Sequence, residues 1–464
     1  MFIHLFIFLT SMNARTLHTF IVFIVTFTAA ALFSGAQTSL FNQCFADGAS
    51  EEAEAIYQQA QSLLDEYGVP EDEEKAVELY RQAAELGHPK AQFTYGSCFF
   101  DGEVVTQDSK KAVEWFRKSA QQGFADAQYM LGFCYFYGEG IEENKAEAVK
   151  WYRKAAEQGH ELSQVNLGDC YFNGVSVPVN KEEAVKWYRK AAEKDEPMGQ
   201  NMLGMCYMEG LGVKKDVKTA VELWEKAAQV GLANAQFNMG NACMTGTGVP
   251  LDKEEGVRWF LKAAEQGDID AIEALGVCYR RGVGVDQDDA KAIQYLRKAA
   301  ENGRSIAQLY MGDSYYYGIG VPIDKEESVK WYLMAAENGE AMAQDMLGLY
   351  YMFEGDSPNE KEAFKWWKKA AQQGLPSAQF SLGSLYLTGT GVEMNKAEGI
   401  KWLRKAADQE NLDAIAALGL CYLDGDGVPE DRAKGIELLR KAADKGNKGA
   451  QSILKELETP KEVN

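Results

Sequence analysis

Histidine is nearly missing from this chain: there are four in 464 residues, and two of them, His4 and His18, lie close to the start. The other two, His88 and His160, each directly follow a glycine and read as exposed turn residues. No Ser-His-Asp or Cys-His arrangement can be assembled from so few. Neither HExxH nor CxxC spacing occurs, so the usual motifs of hydrolytic and zinc chemistry are absent. Positive charge is also short, with 48 Lys and Arg against 69 Asp and Glu and a formal charge of −21. So acidic a body repels phosphate backbones and anionic lipid surfaces, which excludes nucleic acid as an expected partner. The clearest apolar run, near the N-terminus, falls short of the ~20 residues that span a bilayer.

That run is Thr19 to Phe33, preceded by Arg15 and His18 and followed by Ser34-Gly35-Ala36. The pattern is that of a secretory signal peptide over residues 1–36, with cleavage before Gln37. Export to a periplasmic, secreted or secretory-lumen location follows as the expectation, with no membrane insertion after cleavage. An uncleaved anchor is the competing reading. Initiation at Met12 gives a cleaner signal than Met1, because a second apolar stretch, Phe2 to Thr10, precedes it. Residues 37–51 read as a linker. Cys44 lies in it after Asn42-Gln43, not after the small residues that a lipid-attachment site needs.

The rest of the chain is periodic. A Leu/Met-Gly step recurs at Gly132, Gly168, Gly204, Gly240, Gly276, Gly312 and Gly348, each 36 residues after the last. One residue is lost in Phe353–Asn359, and the step resumes at Gly383 and Gly419. Upstream the register extends through Gly96 to Ala60, and downstream it reaches Lys455. Eleven units span residues 52–446, and residues 447–464 form a closing helix and tail. A period of this length marks a solenoid rather than the several globular domains that 464 residues otherwise suggest.

Each unit holds two helical patterns. In helix A of the third unit, Ala127, Leu131 and Tyr135 make one stripe at i, i+4 and i+8. Gly132 beside that stripe admits a close neighbour, at a helix-propensity cost of ~1 kcal/mol. In helix B, Ala148, Trp151, Tyr152 and Ala155-Ala156 form the opposing face. All nine tryptophans fall at this aromatic pair of positions and read as core.

An Asp or Asn follows every register glycine at the start of helix B, from Asp72 and Asp108 to Asn395 and Asp431, and predicts an N-cap. Glu147, Glu183, Glu255, Glu327, Glu362 and Glu398 three residues later suggest a capping box. Helix B ends on a glycine in most units, while Asp195 and Glu410 replace it in two and predict looser turns.

Taken together, Ala307, Met311, Gly312, Tyr315, Gly318, Gly320, Val321, Asp324, Glu327, Trp331, Tyr332, Ala335, Ala336 and Gly339 resemble the Sel1-like repeat, a branch of the TPR-like helical repeats. The resemblance covers about residues 52–457. It implies an all-α, right-handed αα superhelix with A helices on the concave side. It also implies a protein–protein interaction scaffold or adaptor, as in exported bacterial members.

The cysteine-rich branch of the family pairs a cysteine late in helix B with one early in the next helix A, and has been linked to penicillin binding and β-lactam hydrolysis. Here those positions are alanine, as at Ala84 and Ala91. Cys98, Cys134, Cys170, Cys206, Cys278 and Cys421 all stand two residues after a register glycine, and Cys243 three. Equivalent positions in stacked repeats lie roughly 9–10 Å apart, beyond the ~7 Å limit for a bridge. These thiols therefore read as small buried packing groups.

Helix A positions opposite the core stripe are candidates for the groove. The residues expected to bind a partner are Phe133, Phe136, Asp169, Phe172, Met205, Met208, Asn241, Arg280, Asp313, Tyr316 and Met352. Aromatic and Met-rich linings suit adaptable recognition of peptide or protein surfaces. The expectation is a monomeric scaffold with a protein or peptide ligand, no cofactor, no metal and no catalysis. A cell-wall hydrolase and a glycan binder are the alternatives.

Overall fold

The computed structural model describes residues 50–63, 70–355 and 358–458. The segment read as a signal peptide, the two candidate start methionines and Cys44 lie outside them. The chain divides into two compact units, Met1–Leu223 and Trp224–Asn464, with the division inside helix Val217–Gln229. The described residues hold helices and no strand.

In the first unit the A helices are 50–63, Pro89–Asp101, Ala125–Tyr137, Glu161–Asn173 and Pro197–Glu209, alternating with B helices such as Lys145–Glu157 and Lys181–Ala192. In the second they run from Ala233–Thr245 through Ile269–Arg281 and Ser305–Tyr317 to Leu412–Asp424. Within each unit helices pack on their sequence neighbours, and some successive A helices also touch, as Glu161–Asn173 does with Pro197–Glu209 and Ile269–Arg281 with Ser305–Tyr317. The fold is an all-α solenoid of eleven repeats.

Packing inside a repeat turns on the register glycine. The second aromatic of helix B lies directly against it. A Cβ built on Gly132 would stand 2.7 Å from the Tyr152 ring, and one on Gly168 would stand 2.5 Å from Tyr188. Both rings are almost wholly buried, so neither has anywhere to retreat. Around them close the small residues that begin helix A and end helix B, including Ala127, Ala155 and Ala156.

Successive repeats are joined by a buried glutamine that pattern reading does not single out. Gln128, four residues before the register glycine, donates to the Ala120 carbonyl in the preceding B helix at 3.2 Å. It accepts from Gln158, at the end of its own B helix, at 2.7 Å. The same bridge recurs at Gln92–Gln122, Gln236–Gln266, Gln344–Gln373 and Gln379–Gln409. A satisfied buried amide fixes register, because shifting it strands two polar groups. Where Lys194 takes the place of the second glutamine, the Gln164 Oε1 is left buried and unpartnered.

The N-caps of helix B form, but not as capping boxes. Asn144 Oδ1 accepts from the Glu147 amide at 3.1 Å, and Asn180, Asp252, Asp324 and Asn395 repeat the bond. The cap's own N–H is already taken, since Asn144 donates to the Tyr135 carbonyl of helix A at 2.7 Å. The glutamate therefore has nothing to reach back for. It pairs one turn on instead, as in Glu147–Lys150 at 2.5 Å and Glu183–Lys186 at 2.8 Å. Asp72 departs differently. Its helix starts at Pro70, so it sits inside the first turn rather than before it.

The turns at Asp195 and Glu410 are not loosened either. Both residues adopt the left-handed conformation, at φ 60° and 63°. The closing bonds Glu196 N to Ala191 O and Asn411 N to Ala406 O are both 3.1 Å, matching His160 N to Ala155 O. The cost of a non-glycine there, ~1 kcal/mol or more, is borne locally. The lost residue before Gly383 falls where helix A runs into a π-helical turn, Tyr350–Glu354. At the C-terminal end, helix Lys448–Glu458 lays Ala450, Ile453 and Leu454 against Ile415, Leu439 and Ala442.

Gly168→Ala tests the central contact. Helix propensity alone favours the change by ~1 kcal/mol, but overpacking against Tyr188 costs about 1–3 kcal/mol. A lower urea midpoint is expected, and Tyr188→Leu is not expected to restore it, since a Cβ on Gly276 or Gly383 would stand only 2.7 or 2.9 Å from the leucine in that place, Leu296 or Leu403.

Candidate ligand face of the A helices

Residues opposite the core stripe of helix A divide by depth. Those three before and four after the register glycine lean over the buried aromatic of their own B helix. Phe93 and Phe100 flank Phe116 at 5.7 and 6.1 Å, and Tyr129 and Phe136 flank Tyr152 at 6.1 and 6.2 Å. Those five after it stand clear, with Tyr137 64%, Tyr317 57% and Phe353 73% exposed.

In the first unit, Phe133 is half-buried between Phe100 at 6.2 Å and Tyr137 at 4.6 Å. Phe172 packs 6.4 Å from Tyr188 and carries the Lys181 ammonium 3.1 Å from its ring centre. Met205 and Met208 are half-buried. In the second unit, Asn241 is exposed, and Tyr316 sits 4.7 Å from Tyr317 and donates to Glu354. Met352 leans on the cluster of Leu382 and Trp367.

Two groups of these residues come together. Phe136 and Asp169 share a cavity of about 90 Å³ with Tyr137, Tyr152, Asn166, Cys170, Asn173 and Val175. Arg280 and Asp313 approach each other to 3.9 Å. Asn166 and Asn173 were missed in the sequence, although their positions on helix A already belonged to the candidate face. Tyr152 carried no such signal, since it reads as core.

The carboxylates here are set by burial. The Tyr188 hydroxyl donates to Asp169 Oδ1 at 2.6 Å, and Tyr332 donates to Asp313 Oδ1 at 2.8 Å. Burial nonetheless pushes both carboxyls above the ordinary range. It also raises the thiols, Cys134 to about 12 and Cys170, Cys206 and Cys278 to about 11, so they are poor nucleophiles at neutral pH.

The two histidines correct the sequence reading. Neither is an exposed turn residue, because each caps a helix A with its ring. His88 Nδ1 accepts from the Ala91 amide and His160 Nδ1 from the Ser163 amide, both at 3.1 Å. The rings stack on Tyr57 and Tyr129 at 4.7 and 4.8 Å. The opposite nitrogens meet Glu54 at 2.7 Å and Asp126 at 3.4 Å in the preceding repeat. With Nδ1 an acceptor, the neutral ring carries its proton on Nε2.

The Sel1 repeat pattern matches this chain eleven times, over residues 53–88, 89–124, 125–160, 162–196, 197–232, 233–268, 269–303, 305–340, 341–375, 376–411 and 412–447. The chain belongs to the Sel1 repeat family. Its fold is similar to that of a protective antigen of uropathogenic Escherichia coli strains with an SLR fold. The two are 36% identical over 82% of each chain, with a TM-score of 0.70. A Sel1 repeat protein from Oxalobacter formigenes is 35% identical over 66% of this chain and 88% of its own, with a TM-score of 0.49. Helicobacter pylori cysteine-rich protein B is 29% identical over 29% of this chain and 96% of its own, with a TM-score of 0.24. No curated protein matches. Sel1 repeat proteins are generally protein-interaction scaffolds, and the fold is typically non-catalytic. No helix among the described residues is long and apolar enough to cross a membrane.

The His160 cap predicts a pH dependence. Burial lowers the pKa of His160 in the folded chain. The neutral form is therefore the folded one, and its contribution is complete above the ordinary value of ~6.5 and is lost as pH falls below it. His160→Asn keeps a cap without a titrating group, as Asn411 does toward Ala414 at 2.8 Å. At pH 8 the variant is expected to be the less stable chain, since it loses the stack on Tyr129 and the contact with Asp126. Between pH 8 and pH 5 the parent should lose more stability than the variant, by no more than the ~1 kcal/mol that a cap is worth; equal losses would contradict the titrating cap.

Proposed function

We propose that the chain is an exported scaffold that holds a protein or peptide along the face of its A helices and carries out no chemistry. The observation that carries this reading is the division of that face by depth. Its inner aromatics complete the core, while Tyr137, Tyr317 and Phe353 stand out from it without a core role. Exposed aromatics of this kind supply contact area at low entropic cost, which suits recognition of another polypeptide. Half-buried polar groups on the A helices of each unit, Asp169 and Asn166 in one and Arg280 and Asp313 in the other, offer direction to the contact.

The histidines are engaged in caps and the buried thiols are held protonated. The hydrolase alternative is therefore left without an activated nucleophile on this face. Export rests on the charged-apolar-small pattern of residues 1–36, and the relative described as a protective antigen is compatible with it.

Photo-crosslinking tests the reading. Benzoylphenylalanine at Tyr137 or Tyr317 is expected to capture a protein partner in the native compartment. The same probe on B helices, at Lys150 or Met334, should capture none. Equal capture from the B helices would move the ligand face elsewhere, and turnover of nitrocefin by the purified chain would replace the scaffold with an enzyme.

A further inference from the structure

Two repeats present the same carboxylate in different company. Asp169 and Asp313 each follow a register glycine, and each accepts a tyrosine hydroxyl from its own B helix. Beside Asp313 the preceding A helix supplies Arg280, four residues after its own register glycine. The guanidinium lies 3.9 Å from Asp313 Oδ2, donates to Ser314 Oγ at 2.6 Å and stands 5.1 Å from the Tyr310 ring centre. Its side chain is only 12% exposed.

Beside Asp169 the residue at Arg280's place is Phe136. Asp169, Cys170 and Asn166 stand where Asp313, Ser314 and Tyr310 stand, and there they line the cavity of about 90 Å³. The cavity thus occupies the slot that an arginine fills in the other repeat. Among the described residues, the pairs formed by Asp169 include no cation. Burial pushes its carboxyl up with only the Tyr188 hydroxyl opposing, whereas at Asp313 the charge of Arg280 opposes as well.

We infer that this cavity is a subsite for an arginine side chain presented by a bound polypeptide. The inference rests on the reading of the A helices as the ligand face. A guanidinium matches the lining through its fork of donors. Asp169 offers a second carboxylate oxygen, Asn166 and Asn173 offer amide oxygens, and Phe136 and Tyr137 offer flat surfaces for stacking. A lysine ammonium would reach the carboxylate but would neither fork nor stack as well.

A ligand-free arm asks whether the slot accepts the group at all. Phe136→Arg is expected to unfold at a higher urea concentration than Phe136→Gln, with the difference vanishing when Asp169→Asn is added. Asparagine keeps an acceptor for Tyr188, so this background is expected to fold. A second arm titrates N-acetyl-arginine methylamide and its neutral citrulline counterpart against the full chain, following the Val175 methyl signals. Arginine is expected to bind at least tenfold more tightly than citrulline, and to lose that preference in Asp169→Asn and in Phe136→Arg. Equal binding of the two probes, or a preference that survives Asp169→Asn, overturns the subsite.

The partner captured by crosslinking separates this inference from the one beneath it. If Phe136→Arg leaves that capture undiminished, the subsite fails while the ligand face stands. If Tyr137 and Tyr317 capture nothing, the ligand face fails, and with it the polypeptide as source of the arginine, whatever the small probe shows.

Discussion

A helix backbone can lie against a flat ring only where no side chain intervenes, and the packing of this solenoid follows from meeting that condition in most repeats, with leucine in the ring's place at Leu296, Leu403 and Leu439. The register glycine supplies the gap and the second aromatic of helix B fills it, as Gly168 and Tyr188 do at a separation no Cβ would tolerate. With the ring seated there, the alanines beginning helix A and ending helix B meet at close range. The glutamine one turn away can then reach the carbonyls of the preceding B helix. A shift of one residue would lift the ring off the glycine and strand the glutamine together. Packing and polar satisfaction therefore specify the same register.

That arrangement determines what is left for function. Residues flanking the ring are drawn partly into the core, so aromatics such as Phe93, Tyr129 and Phe136 serve packing as much as recognition. What remains free is narrower: the position five residues after the glycine, where Tyr137, Tyr317 and Phe353 stand exposed. Asp169 and Arg280 belong instead to the half-buried positions one and four residues after the glycine, where one repeat holds a carboxylate bonded only to a tyrosine hydroxyl and another sets a guanidinium beside it.

Much of this was legible in the sequence because it is written in short, repeated spacings. The 36-residue step, the Asn and Asp caps and the glycine turns each need only a few neighbouring residues to be recognised. Where reading failed, the deciding partner lay a repeat away. His88 looks like a turn residue until Glu54 and Tyr57, from the preceding repeat, are seen to hold its ring. The glutamates after the caps imitate a capping box, and only the Tyr135 carbonyl, across the loop, shows that the cap's N–H is already spent. Asp195 and Glu410 were expected to spoil their turns, yet a left-handed backbone carries both without lengthening the closing bond. The cavity beside Asp169 was hidden for the same reason, since Phe136 and Tyr137 on one A helix line it together with Asn166, Asp169, Cys170 and Asn173 on the next.

The central proposal is that exposed side chains on the A helices of one or both units contact a polypeptide partner. Hydroxyl-radical footprinting of the chain, free and with its captured partner, measures that directly. The account predicts that labelling falls at Tyr137, Tyr317 or Phe353 while the equally exposed loop residues Leu251 and Met394 keep theirs. Protection of the loops with the three aromatics still fully labelled would contradict it.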